Sequence, residues 1–309
     1  MDLSLFDLHA DTAWAMYRTK QPLLSNSLAV SLDKAQKYVR YIQIMALWTS
    51  PDLSNEDGYI RLFEMLKNLA NDSSIQSGEA EICSSCPAST SKIRSLMLSV
   101  EDARILNGHI ERVEELAKLG VRSVIPLWSG ETCIGGSHNT NVGLTDFGKT
   151  AAREMLSRNM ILDISHASVE SSKDIFELSA IYNKPVIASH SNAHAICPVS
   201  RNLHDWQIDA ILSSGGIIGL NLYRAFLEEN GDATLDSILR HIEYFFEHGA
   251  ENALCLGCDM DGAELPLDIP NISYLHRLAE FLLEHGYSQT LIDALFFENA
   301  YRFAQKNFN

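Results

Sequence analysis

Basic side chains are scarce in this chain. Its 309 residues carry 24 Lys and Arg against 40 Asp and Glu, a formal net charge of −16. With no cationic excess to displace counterions from a phosphate backbone, nucleic-acid binding is excluded as a function class. No apolar run approaches the roughly 18 residues that a spanning helix needs, so no membrane span is expected. The opening MDLSLFDLHAD carries Asp2 and Asp7 and lacks the basic stretch and long apolar run of a secretion signal. Cysteine is sparse: Cys83, Cys86, Cys133, Cys197, Cys255 and Cys258 are all there are. That usage reads as reduced thiols in a cytoplasmic protein, not as a disulfide framework. Neither G-x-G-x-x-G nor G-x-x-x-x-G-K-[ST] occurs, nor the G-x-S-x-G elbow of a serine hydrolase. What remains, at 46% hydrophobic and 21% charged residues, is a large soluble enzyme or binding protein.

What the chain does have is alternation. Short β-rich apolar runs fall at 4–9, 38–47, 95–100, 122–127, 160–165, 185–189, 216–222 and 253–258. Helical periods lie between them. Leu62, Met65, Leu66 and Leu69 follow the i, i+3, i+4, i+7 pattern, and Leu235, Ile238, Leu239, Ile242, Phe245 and Phe246 form a stripe that stops before Gly249. Ser288 caps a last helix carrying Leu291, Ile292 and Leu295. Strands alternating with helices pair in parallel, and eight such units close into a (β/α)8 TIM barrel of the α/β class. One domain spans 1–309, and the polar, Ser-rich stretch 71–92 reads as a surface excursion between the second and third units.

The metal-capable side chains cluster at the ends of these runs. His9 and Asp11 close the first and Glu101 follows the third. His166 and His190 end the fifth and sixth, and Asp259 and Asp261 follow the eighth. In a barrel the C-terminal strand ends converge on one rim, so these residues would face one pocket. Taken singly, each has a plainer role. A histidine near a strand end is commonly a packing or solvent-facing group, and Glu101 would favour a following helix N-terminus. Five independent accidents at five strand ends explain the pattern poorly. Three imidazoles with several carboxylates suit Zn²⁺, Mn²⁺, Co²⁺ or Fe²⁺, and the donors are too many for one tetrahedral zinc. Two ions sharing a bridging carboxylate would use them, with Asp7 and Asp261 as further acids nearby.

Other histidines read differently. His241, His248, His276 and His285 lie on helical segments as surface or packing residues. His109 and His204 fall near helix starts, and His138 falls in a Gly/Asn-rich loop. His194 is close enough to His190 to join the pocket. The Cys83/Cys86 and Cys255/Cys258 pairs are too far apart for a zinc ribbon. The odd spacing of the second pair within a strand puts its members on opposite faces as small buried residues.

FDLHADTAW, LSVEDA, LDISHAS, PVIASHSNAHAICPVSRN, GGIIGLNLY, GCDMDG and ENAYRF occur in this order along nearly the whole chain. With them the sequence resembles the membrane (renal) dipeptidase family of metallopeptidases, among the metal-dependent amidohydrolase barrels. The resemblance implies His9 and Asp11 on one metal, Glu101 bridging, and His166 and His190 on the other. It implies Arg201 as the clamp for the substrate carboxylate, and Asp259 at the attacking water and the substrate amino group. One departure stands out. Where mammalian members carry a histidine thought to steady the oxyanion, the fourth run ends in Trp128, whose Nε1–H is a donor and whose indole is an apolar wall. The expectation is a dipeptidase holding two divalent ions, Zn²⁺ foremost, acting on small peptides that include those with a C-terminal D-residue. A related hydrolase of another amide, lactam or N-acyl substrate and a non-catalytic metal-binding relative are the alternatives. A homodimer is compatible with the sequence but marked by no motif.

Overall fold

The computed structural model describes residues 2–308. Nine parallel strands are present: β1 Leu5–Ala10, β2 Tyr41–Trp48, β3 Ala80–Cys83, β4 Arg94–Glu101, β5 Val121–Ile125, β6 Ile161–Asp163, β7 Val186–Ile187, β8 Ile218–Leu220 and β9 Leu254–Leu256. They are hydrogen-bonded in the order β7-β6-β5-β4-β2-β1-β9-β8, with β3 off this path. The parallel bridge Ala188↔Ile218 joins the two ends, so eight strands ring a nearly closed (β/α)8 barrel. Helices follow most strands, as their periodicity predicts. They include Asn55–Ala70 with Leu62, Met65 and Leu69 buried, and Leu235–Glu247 with Ile238, Ile242 and Phe245 buried.

Phe6, Leu8, Ile42, Ile44, Met97, Ile161, Ile187 and Cys255 come from strands all round the ring yet meet in one cluster, which therefore fills the barrel interior. Phe297, Tyr301 and Phe308 from the C-terminal segment join it. The Arg40 guanidinium, just ahead of β2, covers the Phe297 and Tyr301 rings, which puts this plug at the N-terminal end. The second cluster, between strands and helices, takes Cys258, so the two cysteines of that pair do face opposite ways.

Ring closure depends on two glycines. A Cβ on Gly219 or Gly257 would lie 1.8 or 1.7 Å from the Ser189 carbonyl oxygen. Only a hydrogen side chain lets β7, β8 and β9 approach this closely. We expect Gly219→Ala to destabilise the fold by about 3 kcal/mol or more, because the clash is with backbone that cannot rotate away. Urea denaturation followed by far-UV circular dichroism measures it; an unchanged midpoint would contradict the account.

Two features differ from the sequence reading. The stretch 71–92 is not merely a surface excursion: it holds a short helix, Ser73–Gln76, and strand β3. β3 pairs with Arg94–Met97, the first half of β4, whereas β5 pairs with Leu98–Glu101, the second half. The vacant half-edge of β4 recruits a segment whose composition alone says loop. The second difference lies in β1. Its register runs Asp7↔Gln43 and then Ala10↔Met45, three steps on β1 against two on β2. One extra residue sits there, a β-bulge. With Phe6 and Leu8 pointing inward, strict alternation would turn His9 outward, and the bulge turns it back in.

Candidate metal centre

Three carboxylates and three imidazoles converge above the apolar filling. His9 Nε2 lies 3.6 Å from Asp11 Oδ2, 3.5 Å from Glu101 Oε2 and 3.9 Å from Asp259 Oδ1. On the other side of the same carboxylate, Glu101 Oε1 lies 2.9 Å from His166 Nε2 and 3.7 Å from His190 Nε2. Two groups, His9/Glu101/His190 and His9/Asp11/Asp259, each have donor atoms within 4.8 Å of one another. Asp261, the fourth carboxylate at this rim, is turned away from them.

Each position is held from behind. Glu101 ends β4, in register with Trp48 of β2. His166 Nδ1 meets the Trp128 carbonyl oxygen at 3.0 Å, and His190 Nδ1 meets Ser189 Oγ at 2.9 Å. Engaging Nδ1 leaves both Nε2 atoms facing inward, 3.0 Å apart. Asp259 has φ +59° and Asp261 φ +67°, a left-handed conformation uncommon for a residue with a side chain and a frequent mark of functional loops. Asn221 Nδ2 donates to Asp259 Oδ2 at 3.1 Å. A Cβ on Gly262 would strike Asp11 Oδ2 at 2.0 Å, so the loop after β9 must be bare at that point.

Whether these residues suit metal ions can be judged from their unsatisfied atoms. Both ring nitrogens of His9 and Oδ1 of Asp11 are buried with no hydrogen-bond partner. Buried polar atoms in folded proteins are paired as a rule. Of the unpaired atoms here, His9 Nε2 has three carboxylates within 3.9 Å, and imidazole and carboxylate are donors of the borderline-hard type. The residues fit divalent ions. Protonation agrees. Burial drives His166 down to about 3 with help from Arg201, and puts His190 well below the ordinary imidazole range. Both are neutral, the form that binds a metal. Burial also opposes charge on His9, but the neighbouring Glu101 and Asp11 carboxylates hold His9 well above the ordinary range. Burial and the Glu101 charge push Asp11 up to about 7. Burial opposes charge on Glu101 too, but the charge on His9 and the hydrogen bond with His166 hold it below the ordinary carboxylate range.

The site opens into a cavity of about 500 Å³ lined by Asp11, Glu101, His166, Arg201, Asp259 and three tryptophans. Trp128 belongs to this wall, with its ring 5.1 Å from that of Trp48, which stands 5.6 Å from Trp14. Arg201 is only 3% exposed. Its Nη1 donates to Ser191 Oγ and its Nη2 to the His190 carbonyl, both at 3.1 Å, while its Nε has no partner.

Asp7 and Asp261 stand apart from the donor cluster. Asp7 accepts from the Cys258 backbone N–H and Gln43, and Asp261 accepts from Thr12 Oγ1 and the Ala29 N–H, stapling two rim loops together. His194 packs against His204, with ring centroids 4.3 Å apart, and is not among the donors. His241 is a buried packing residue bonded to Ala193 and Leu227. His138, set aside as a loop residue, does line the cavity. Its backbone N–H reaches the His166 carbonyl at 2.8 Å and its Nδ1 lies 2.9 Å from Ser200 Oγ. Burial and Arg201 lower it to about 4. No periodicity marks a residue delivered by a folded-back loop, so sequence pattern alone leaves it among the loop residues.

The membrane dipeptidase profile (peptidase family M19) matches residues 1–307. The chain belongs to that family. It is thus a metallopeptidase family member, and its relatives share the architecture described above. A metallo peptidase from Rhodobacter sphaeroides, liganded with a phosphinate mimic of the dipeptide L-Ala-D-Ala, superposes with TM-score 0.91 at 24% identity, covering 99% of this chain and all of its own. Dipeptidase AC, a metallo peptidase of family M19, gives TM-score 0.91 at 25% identity over 100% of this chain and 99% of its own. An uncharacterized protein in the pqqA 5′ region of Klebsiella pneumoniae is 34% identical over 220 residues, 67% of this chain and 80% of its own length. Among the described residues no helix is long and apolar enough to cross a membrane.

Proposed function

We propose that this M19 protein is a binuclear dipeptidase. One observation carries the reading: the two oxygens of Glu101 face different donor groups, Oε2 toward His9 and Oε1 toward His166 and His190. His9 and Asp11 would hold one ion and His166 and His190 the other, with Glu101 shared. Zn²⁺ suits this mixture of imidazole and carboxylate. Bound there, two divalent ions would supply Lewis-acid polarisation of the scissile carbonyl and acidification of a water nucleophile.

The chain's own residues do the rest. Arg201 Nε, left without a partner, offers a charge-assisted donor to the substrate's C-terminal carboxylate, which limits substrates to those with a free terminus close to the scissile bond. The Asp259 carboxylate, raised by burial, takes a proton from the attacking water and passes it to the leaving amine. Asn221 orients that carboxylate through its Oδ2. Trp128 walls the cavity and fixes His166 through its carbonyl. The side-chain donor that the mammalian pattern places after the strand corresponding to β5 is supplied by His138, neutral and tied to Ser200. We infer further that 1–309 is one catalytic domain, because the C-terminal segment fills the end of the barrel rather than forming a separate body.

The dipeptide mimicked in the Rhodobacter sphaeroides enzyme makes L-Ala-D-Ala the first substrate to try. We expect metal-loaded protein to hydrolyse L-Ala-D-Ala and L-Ala-L-Ala, and metal analysis to return two ions per chain. Chelation should abolish turnover and lower Tm, since ions that bind only the folded state stabilise it. Bound metal with no turnover of any dipeptide would refute the peptidase reading; one ion per chain would refute the shared-carboxylate site.

A further inference from the structure

The helix Thr12–Thr19 leaves the donor cluster directly after Asp11. Asp11, Trp14, Ala15 and Arg18 fall at i, i+3, i+4 and i+7, on one face, and all four line the cavity. At 1.5 Å per residue this face carries Arg18 about 10 Å along the wall from Asp11. Arg18 is exposed and lines the cavity, and its side chain makes no hydrogen bond, ion pair or ring contact with any described residue. By contrast Lys20 and Arg61 sit over the Tyr17 ring, at 4.0 and 5.0 Å from its centroid. An unpaired cation facing the active cavity of a protein with 40 acidic residues is a recognition element awaiting an anion.

The barrel order says which part of a substrate reaches it. Arg201 follows β7, which stands three strands round the ring from β1 by way of β8 and β9. A dipeptide with its carboxylate on Arg201 and its amino group at Asp259, after β9, would have its N-terminal side chain toward β1 and β2, the next strands in the ring. The cavity lining contributed by β2 and by the helix after β1 includes Trp14, Trp48 and Arg18.

We propose that Arg18 is a specificity residue, and that the enzyme prefers dipeptides whose N-terminal residue bears a carboxylate side chain. The indoles of Trp14 and Trp48 pack its methylenes and Arg18 pairs with its charge. This rests on the dipeptidase reading above. The test compares kcat/KM for L-Glu-L-Ala and L-Gln-L-Ala, which differ only in that charge. The Glu/Gln ratio is expected to be about five- to tenfold in the wild type and to fall toward one in high salt. Arg18→Ala and Arg18→Gln bring the ratio close to one, and Arg18→Lys retains most of it. A wild-type ratio of one, a preference for L-Phe-L-Ala over L-Glu-L-Ala, or a ratio that survives Arg18→Ala overturns the proposal. If metal-loaded enzyme turns over neither peptide, the dipeptidase reading fails, and calorimetric binding of the same two peptides decides the subsite. Tighter binding of the Glu peptide, lost in Arg18→Ala, upholds it; equal binding overturns it.

Discussion

Replacing Glu101 with Gln is expected to lower kcat/KM about a thousandfold or more and to reduce metal content below two ions per chain. The substitution changes one buried atom and one charge, so the barrel should fold. What it removes is the carboxylate placed between the two donor sets, with one oxygen 2.9 Å from His166 Nε2 and the other 3.5 Å from His9 Nε2. A carboxamide offers an oxygen to one side and an N–H to the other, and the N–H repels a cation. The Lewis-acid contribution at stake amounts to several kcal/mol of barrel-held charge stabilisation, hence the expected factor. Metal analysis and steady-state kinetics on one preparation check it. A Gln variant with two ions and near-normal turnover would remove Glu101 from the centre of the site.

Arg201→Met should move activity and stability in opposite directions. Activity falls, because a desolvated charge pair with a substrate carboxylate typically accounts for 2–5 kcal/mol, or about a thousandfold in kcat/KM. Stability rises by about 1 kcal/mol or more in the substrate-free protein. Arg201 is nearly fully buried and bonded only to neutral oxygens, and burial pulls it down to about 10 without discharging it at neutral pH. A buried cation with no direct ion pair, attracted only at longer range by Asp259, Glu101 and Asp163, is costly, and an apolar side chain of similar length is not. The carbonyl of His190 keeps a partner in Asn221 Nδ2. Denaturation midpoints and dipeptide kinetics give the two readouts. A second comparison locates the effect: a dipeptide amide, lacking the carboxylate, should be a poor substrate for wild type and variant alike. A variant both inactive and less stable would mark Arg201 as a structural residue instead.

Much of this was legible in the chain because strand ends are legible. Each of the eight apolar runs became a barrel strand, and His9, Asp11, Glu101, His166 and His190 follow from knowing where those runs stop. Bounds were less legible. The run 185–189 shrinks to Val186–Ile187 because Ser189 and His190 leave the ladder, the Ser189 N–H turning to the Asp163 carboxylate. Residues placed by tertiary routes were harder to see. His138 arrives on a loop closed by the bridges Glu131↔Gly136 and Gly135↔Leu144, and β3 forms only because half an edge of β4 stands vacant. Arg18 did carry a signal, the i, i+3, i+4, i+7 stripe from Asp11, but a stripe with a charge at one end reads as an ordinary solvated helix face until a cavity is seen beside it.

The extra residue in β1 has a consequence for how this protein could be improved. A shorter β1, with Leu8 removed, would restore an even ladder against β2 and give a more regular, tighter barrel wall. Strict alternation from Phe6 would still face His9 inward, but in the place that Leu8 now fills. The misfit is what lets two consecutive residues face the barrel, Leu8 for the core and His9 for the donors, and a descendant that evens the ladder must give up one of them.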